Sequence, residues 1–298
     1  MTLKLDKKFD LNCGLAEGCV WSINDNAFYW IDIVKSHLYK YSLNDSSLQR
    51  FDTPEQPANI MLTQSPGLLL VSLFDGLYLF DVNKESWQLW LDVEPNKTLR
   101  INDGCVDVNG NIWLGTMLMS PDKQGIEHDM GKYGRLFKIS PNKVTSIEKE
   151  VIAIFNLATF SLDNKTFFYA DSFTNEIYAC DFDISTSKLS KQRLFCKLAD
   201  KYGHPDGGTT DSEGFIWSAR WDGKGIARIS PKGELAQFYP LNASQVTNVC
   251  FGGEDLKTVL VTTASLTPEG EADGGSVQLF RCDVAGILPN TVPISLNN

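Results

Sequence analysis

No stretch of this 298-residue chain is apolar for long enough to cross a membrane as a helix. Its first ten residues, Met1 to Asp10, contain no apolar run of the kind a secretory signal needs. Cations are also scarce, with 27 Lys and Arg against 37 Asp and Glu and a formal charge of −10. That balance argues against nucleic acid and anionic membranes as partners, and suits a bound cation or a neutral polar substrate. The seven cysteines (Cys13, Cys19, Cys105, Cys180, Cys196, Cys250 and Cys282) are odd in number, scattered, and form no C-x-x-C pair. Several stand where a strand wants a small hydrophobe. Free thiols in a reducing cytoplasm are the economical reading, which disfavours a zinc–thiolate site or a disulfide framework. There are three histidines, and no G-x-S-x-G elbow, Walker loop or dinucleotide fingerprint.

What is present is a repeat. The phrase His204-Pro205-Asp206-Gly207-Gly208-Thr209-Thr210 runs through a turn into Phe215-Ile216-Trp217. Its counterparts are Glu17-Gly18-Cys19-Val20 before Ala27-Phe28-Tyr29-Trp30, and Asn102-Asp103-Gly104-Cys105 before Asn111-Ile112-Trp113. Asn156-Leu157-Ala158-Thr159 precedes Thr166-Phe167-Phe168, and Asn248-Val249-Cys250 precedes Thr258-Val259-Leu260. A looser sixth unit runs from Asn59 to Leu68-Leu69-Leu70-Val71. Each unit continues into a further strand, as in His37-Leu38-Tyr39-Lys40-Tyr41 or Gly76-Leu77-Tyr78-Leu79-Phe80. The period is about 40 to 54 residues, the range of propeller blades.

Six units of four short strands predict an all-β fold, a six-bladed β-propeller formed as one domain over residues 1–298. With 43% hydrophobic and 11% aromatic residues the chain can bury a large core. Alternation of Leu3, Leu5, Phe9 and Leu11 with polar neighbours predicts an N-terminal strand that completes the last blade beside Ser276–Phe280. The stretch between Met117 and Gly134 lacks strand periodicity and reads as an irregular insertion near one end of the channel. His128 within it is expected in solvent, and Leu266 to Gly275 is expected to form another surface loop.

In a propeller the innermost strand of each blade lines the central channel, so side chains at one phase of the repeat converge at one mouth. Glu17, Asn102, Asn156 and Asp206 are then neighbours in space, and with oxygen donors alone they suit a hard divalent cation. Calcium is the first expectation, with magnesium, manganese or zinc as alternatives. Two carboxylates without a cation repel one another, which binding would relieve. Such a cation polarises a carbonyl, and Asp206 is placed to take a proton from attacking water. Arg100 either donates to substrate oxygens or forms a structural ion pair, and Asp103 is expected to orient Asn102 or Arg100. His204 is expected to line the mouth beside Asp206.

The phrases Leu15–Trp21, Tyr29–Ile33, Arg100–Gly104, Gly115–Met117, Asn156 to Ser172, His204–Trp217 and Phe251 to Ala264 occur in one order along nearly the whole chain. In these the chain resembles the SMP-30/gluconolactonase/regucalcin-like family of six-bladed propellers. The resemblance implies a divalent metal held by Glu17, Asn156 and Asp206, substrate contacts from Arg100 and Asn102, and Asp206 as general base. It implies hydrolysis of a sugar-acid lactone to the aldonic acid, with a small-molecule partner and a cytoplasmic monomer or weak homo-oligomer. Two departures stand out. Relatives carry glycine after the metal-binding asparagine where this chain has Leu157, which puts the local backbone in question. Vertebrate-type members carry acidic residues after Gly-Thr-Met, one of them a contact for sugar hydroxyls, where this chain has Leu118, Met119 and Ser120. Hydrolysis of another ester such as an organophosphate, or a non-catalytic calcium-binding propeller, are the competing readings.

Overall fold

The structure is a computed structural model that describes residues 2–74, 76–94, 98–118, 134–267 and 271–295. After the N-terminal strand β1 (Leu3–Phe9), the chain lays down antiparallel sheets in sequence order. The first blade is β2 (Ala16–Ser22), β3 (Ala27–Asp32), β4 (His37–Ser42) and β5 (Leu48–Asp52). The second is β6 (Pro57–Leu62), β7 (Leu68–Leu73), β8 (Gly76–Asp81) and β9 (Ser86–Asp92). The third is β10 (Leu99–Val106), β11 (Ile112–Leu118), β12 (Gly134–Ile139) and β13 (Thr145–Ile152). The fourth is β14 (Phe155–Phe160), β15 (Thr166–Asp171), β16 (Glu176–Asp183) and β17 (Lys188–Cys196). The fifth is β18 (His204–Thr210), β19 (Ile216–Trp221), β20 (Gly225–Ile229) and β21 (Leu235–Pro240). The sixth is β22 (Val246–Gly252), β23 (Thr258–Thr263) and β24 (Val277–Cys282), with β1 as its outermost strand.

This is the expected six-bladed β-propeller, and β1 closes it by pairing Leu3 with Cys282 and Phe9 with Val277. The core is divided among the blades. Six clusters of buried side chains lie one between each adjacent pair, so every sheet is covered on both faces. The strand-to-strand turns are tied to these layers by buried acids. Asp107 accepts from Trp113 Nε1 at 2.9 Å, and Asp211 accepts from Trp217 Nε1 at 2.9 Å and Arg228 Nε at 2.8 Å. Past β24 the chain crosses the far end of the channel, bridging Gly286 to Asp211 and Val292 to Thr63.

The insertion after Met117 begins later than its sequence indicates, because Leu118 still belongs to β11 and pairs with Leu99. Met119, Ser120, His128 and the rest of 119–133 lie outside the described residues, as do 268–270 of the second predicted loop. Among the described residues no helix is long and apolar enough to cross a membrane.

Candidate active site in the channel mouth

All six inner strands break register at the same level. The shifts fall between Glu17 and Val20, Pro57 and Asn59, Ile101 and Gly104, Asn156 and Thr159, Pro205 and Gly208, and Val246 and Asn248. A bulge re-aims side chains that strict alternation would send to the blade faces. Here it turns polar residues into the channel. In the first blade the bulge uses the left-handed Gly18, φ 56°. Leu157 occupies the same place in the fourth blade at φ 53° and keeps that conformation, so the backbone does not depart as the sequence comparison suggests. Its side chain is fully buried between the fourth and fifth blades, which offsets the left-handed strain. In the fifth blade a Cβ on Gly207 would stand 2.3 Å from the Asn248 side chain, so glycine lets the sixth blade abut Asp206.

Glu17, Arg100, Asn102, Asn156 and Asp206 line one cavity of about 460 Å³ that opens at this mouth. Leu15, Ile33, Met117 and Ile154 supply its apolar wall, and Ser172, Phe173, His204, Trp221 and Asp222 complete it. The donors are locked by one another. Asn102 Nδ2 donates to Asn156 Oδ1 at 2.9 Å and to the Phe155 carbonyl at 2.8 Å. Asn156 Nδ2 donates to Ser172 Oγ at 2.8 Å, which donates to the Pro205 carbonyl at 2.5 Å. Asn102 Oδ1 is thereby left without a hydrogen-bond donor among the described residues, while Asn156 Oδ1 keeps one lone pair beyond the bond from Asn102. Asn248 Nδ2 donates to Glu17 Oε2 at 3.0 Å, as does the Gly18 backbone at 2.9 Å.

Asp103 does not orient Asn102 or Arg100. Its carboxylate faces the other way, accepting from Gly104 N at 2.7 Å and Asn59 Nδ2 at 2.7 Å. It also accepts from the backbone N–H groups of Leu157 and Ala158, so it holds the turn beneath Asn156. Burial raises its carboxyl to about 6. Arg100 forms no ion pair among the described residues and donates to its neighbour's carbonyl, Ile101 O, at 3.1 Å. Burial lowers the guanidinium to about 10 despite the facing charges of Glu17 and Asp206, so it stays cationic at neutral pH.

Burial raises Glu17 well above the ordinary carboxylate range, and the charges of Asp206 and Asp103 push it further. Burial and Asp103 do the same to Asp206, opposed by the Gly207 N–H, a hydrogen bond from Glu17 and the charge of Arg100. Burial and the neighbouring charges thus disfavour ionising both carboxyls together. Fully ionised, Glu17, Asp206 and Asp103 carry three negative charges against the single positive charge of Arg100. One divalent cation would neutralise the difference. Among the described residues no three His, Cys, Asp or Glu side chains cluster as a metal set. A cation here would rest on two carboxylates and an amide oxygen, a donor set that fits a hard divalent ion with positions left open.

Ser172 and Asn248 escape the sequence reading. The repeat phase does mark Asn248, which aligns with Asn156, whereas Ser172 reaches the site from the end of β15 and carries no such signal.

A closed ring of six four-stranded blades, with polar side chains from several inner strands gathered in one mouth, defines a six-bladed β-propeller with a channel pocket. The chain belongs to the SMP-30/gluconolactonase/LRE-like family, whose conserved region matches residues 15–265. It is similar to an L-arabinolactonase of Azospirillum brasilense, 29% identical over 87% of this chain and 84% of that one. A 6-deoxy-6-sulfogluconolactonase of Pseudomonas putida is 30% identical over 91% of this chain and 92% of that one. The solved structure of a luciferin-regenerating enzyme superposes with a TM-score of 0.87 at 27% identity, covering 98% and 99% of the two chains.

Proposed function

We propose that this protein is a lactonase that opens a sugar-acid lactone to the aldonic acid. The observation that carries the reading is the buried Glu17–Asp206 pair at the base of a mouth-facing cavity, with Asn156 beside it and Arg100 and Asn102 across from it. Relatives named for lactone hydrolysis, similar over most of their length, support the same reading.

Glu17, Asn156 and Asp206 would hold one divalent cation, calcium first by donor chemistry and magnesium, manganese or zinc as alternatives. When bound, such a cation supplies the positive charge that polarises the lactone carbonyl. Asp206 takes the proton of the water that attacks the carbonyl carbon. The ring C–O bond then breaks, and Asp206 passes that proton to the ring oxygen, which leaves as a hydroxyl on the open-chain acid. Arg100, cationic and without an ion pair among the described residues, donates to substrate oxygens, where a charge-assisted bond is stronger than a neutral one. Asn102 has spent both amide protons on Phe155 and Asn156, so its Oδ1 is the atom left to accept from a sugar hydroxyl. Leu15, Ile33 and Met117 exclude bulk water from the sugar's apolar face.

The test is hydrolysis of glucono-, galactono- and arabinono-lactones by metal-stripped protein, with Ca²⁺, Mg²⁺, Mn²⁺ or Zn²⁺ returned, beside Asp206→Ala. Activity restored by a cation and lost in the variant is the expected result. Ring opening no faster than the spontaneous rate with every pair would sink the lactonase reading.

A further inference from the structure

The substrate's outer end meets a different part of the cavity from its carbonyl. His204 and Trp221 pair across β18 and β19, and Pro205 pairs with Arg220 one step inward. Asp222 stands one residue beyond Trp221, further out than His204, and lines the same cavity as Arg100. Its turn is built into place. Asp222 is left-handed at φ 57°, and a Cβ on Gly223 would stand 2.2 Å from the Tyr202 carbonyl. A Cβ on Gly203 would stand 2.1 Å from the Trp221 carbonyl. The buried Arg220 binds the same segment, donating to Tyr202 O at 2.9 Å, Gly203 O at 2.6 Å and Asn175 Oδ1 at 3.0 Å.

The chemistry of this rim is distinct from that of the base. Asp222 is exposed and makes no hydrogen bond or ion pair among the described residues. Of the other carboxylates lining the cavity, Glu17 and Asp206 lie at its base with Arg100. His204 Nδ1 lies 3.0 Å from the Ser172 carbonyl, which leaves Nε2 as the ring's free polar atom. Phe173 and Trp221 flank them with apolar surface. At about 3.3 Å per strand residue, Asp222 stands roughly 10 Å outward of Asp206. The outer carbon of a six-carbon lactone lies about 5 Å from its carbonyl, at about 1.5 Å per bond, so a charged group on it would approach Asp222 to about 5 Å.

We propose that Asp222 sets substrate selectivity: it accepts hydroxyls of a neutral polyol tail and repels lactones whose tail ends in an anion. The inference rests on the lactonase reading above and names the substrate class for it. A neutral tail forms a charge-assisted hydrogen bond, whereas a phosphate or sulfonate meets a like charge. In water-like surroundings a charge pair about 5 Å apart corresponds to a four- to tenfold difference in binding.

The experiment compares kcat/KM for glucono-1,5-lactone and its 6-phosphate with the cation-loaded protein and with Asp222→Asn. The wild type should prefer the neutral lactone. Asp222→Asn should cut that preference four- to tenfold, by raising KM for the neutral lactone and lowering it for the phosphorylated one. The preference should also shrink as salt rises in the wild type, because charges exposed to solvent are screened. An unchanged preference in Asp222→Asn, or a wild type that favours the phosphorylated lactone, overturns the proposal while leaving lactonase activity in place. A protein that hydrolyses neither lactone, nor the galactono- and arabinono-lactones, overturns both readings, and that outcome is distinct from the first two.

Discussion

Asp206→Asn keeps the size and shape of the side chain and removes one charge from the base of the cavity, so it tests the charge balance there directly. With Glu17, Asp206 and Asp103 ionised beside Arg100, the wild-type site has an excess of two negative charges for a divalent cation to neutralise. At a cation concentration a hundred times Kd, binding adds about 2.7 kcal/mol to folding stability. At about 2–4 °C per kcal/mol for a chain near this size, the wild-type Tm should rise by about 5–10 °C. If the variant binds about a hundredfold more weakly, the same concentration only matches its Kd and adds about 0.4 kcal/mol, roughly 1 °C. The pH dependence has a definite sign. Glu17, Asp206 and Asp103 all have raised folded-state pKa values, so the metal-free folded protein holds protons that the unfolded chain releases. Their contribution is present in acid and is lost as pH climbs from the ordinary carboxylate range through about 6, the Asp103 value, and beyond. These groups should therefore make the metal-free protein less stable at pH 7.5 than at pH 5, and the cation-induced rise in Tm larger at pH 7.5. Differential scanning calorimetry of chelator-treated protein, with and without cation at both pH values, reads all of this. A variant that keeps the wild-type cation shift, or a cation shift that is larger at pH 5, would refute the reasoning.

Three further outcomes are expected. Ser172→Ala removes the acceptor of Asn156 Nδ2 and the donor to Pro205 O, so kcat/KM and cation affinity should each fall about tenfold. Ser172→Thr, which keeps the hydroxyl, should recover most of the loss in lactone kinetics and metal titration. Arg100→Gln should lower kcat/KM by about 10²–10³ in steady-state assays, as loss of a charged donor at a desolvated reaction centre does. Asp211→Ala strips the acceptor from Trp217, Arg228 and the backbone of Glu213 and Phe215, leaving the buried Arg228 guanidinium with the more exposed Glu213 as its remaining ion-pair partner. It should cost about 3–5 kcal/mol in denaturant unfolding.

Much of the fold is legible in the sequence because a propeller repeats its local pattern. Glu17, Asn102, Asn156 and Asp206 each stand at the head of an inner strand, a fixed distance before Phe28, Trp113, Phe167 and Trp217 on the next. The alternation of Leu3, Leu5 and Phe9 likewise marks a strand that needs a partner, which it finds in β24. The roles of Asp103 and Ser172 are not legible. Asp103 neighbours Asn102 in sequence, yet the bulge between Ile101 and Gly104 lets it face Asn59 and the fourth blade. Ser172 belongs to a turn that is polar and ordinary in isolation; it meets Asn156 within the fourth blade, and its bond to Pro205 exists only because the fifth blade is adjacent.

By itself the sequence determined the number of blades, the strand that closes the ring and the phase at which oxygen-bearing side chains recur, since these follow from periodicity along one chain. Tertiary structure alone decided which side chains face one another across the channel. Closure brings Asn248 against Glu17 over a separation of 231 residues. It leaves Arg100 buried near the charges of Glu17 and Asp206 with no ion pair among the described residues. It also sets Asp222 at the rim, beyond the paired His204 and Trp221. The physical reason is that alternation fixes only which face of its own strand a residue takes, while bulges and the packing of neighbouring blades fix where that face points.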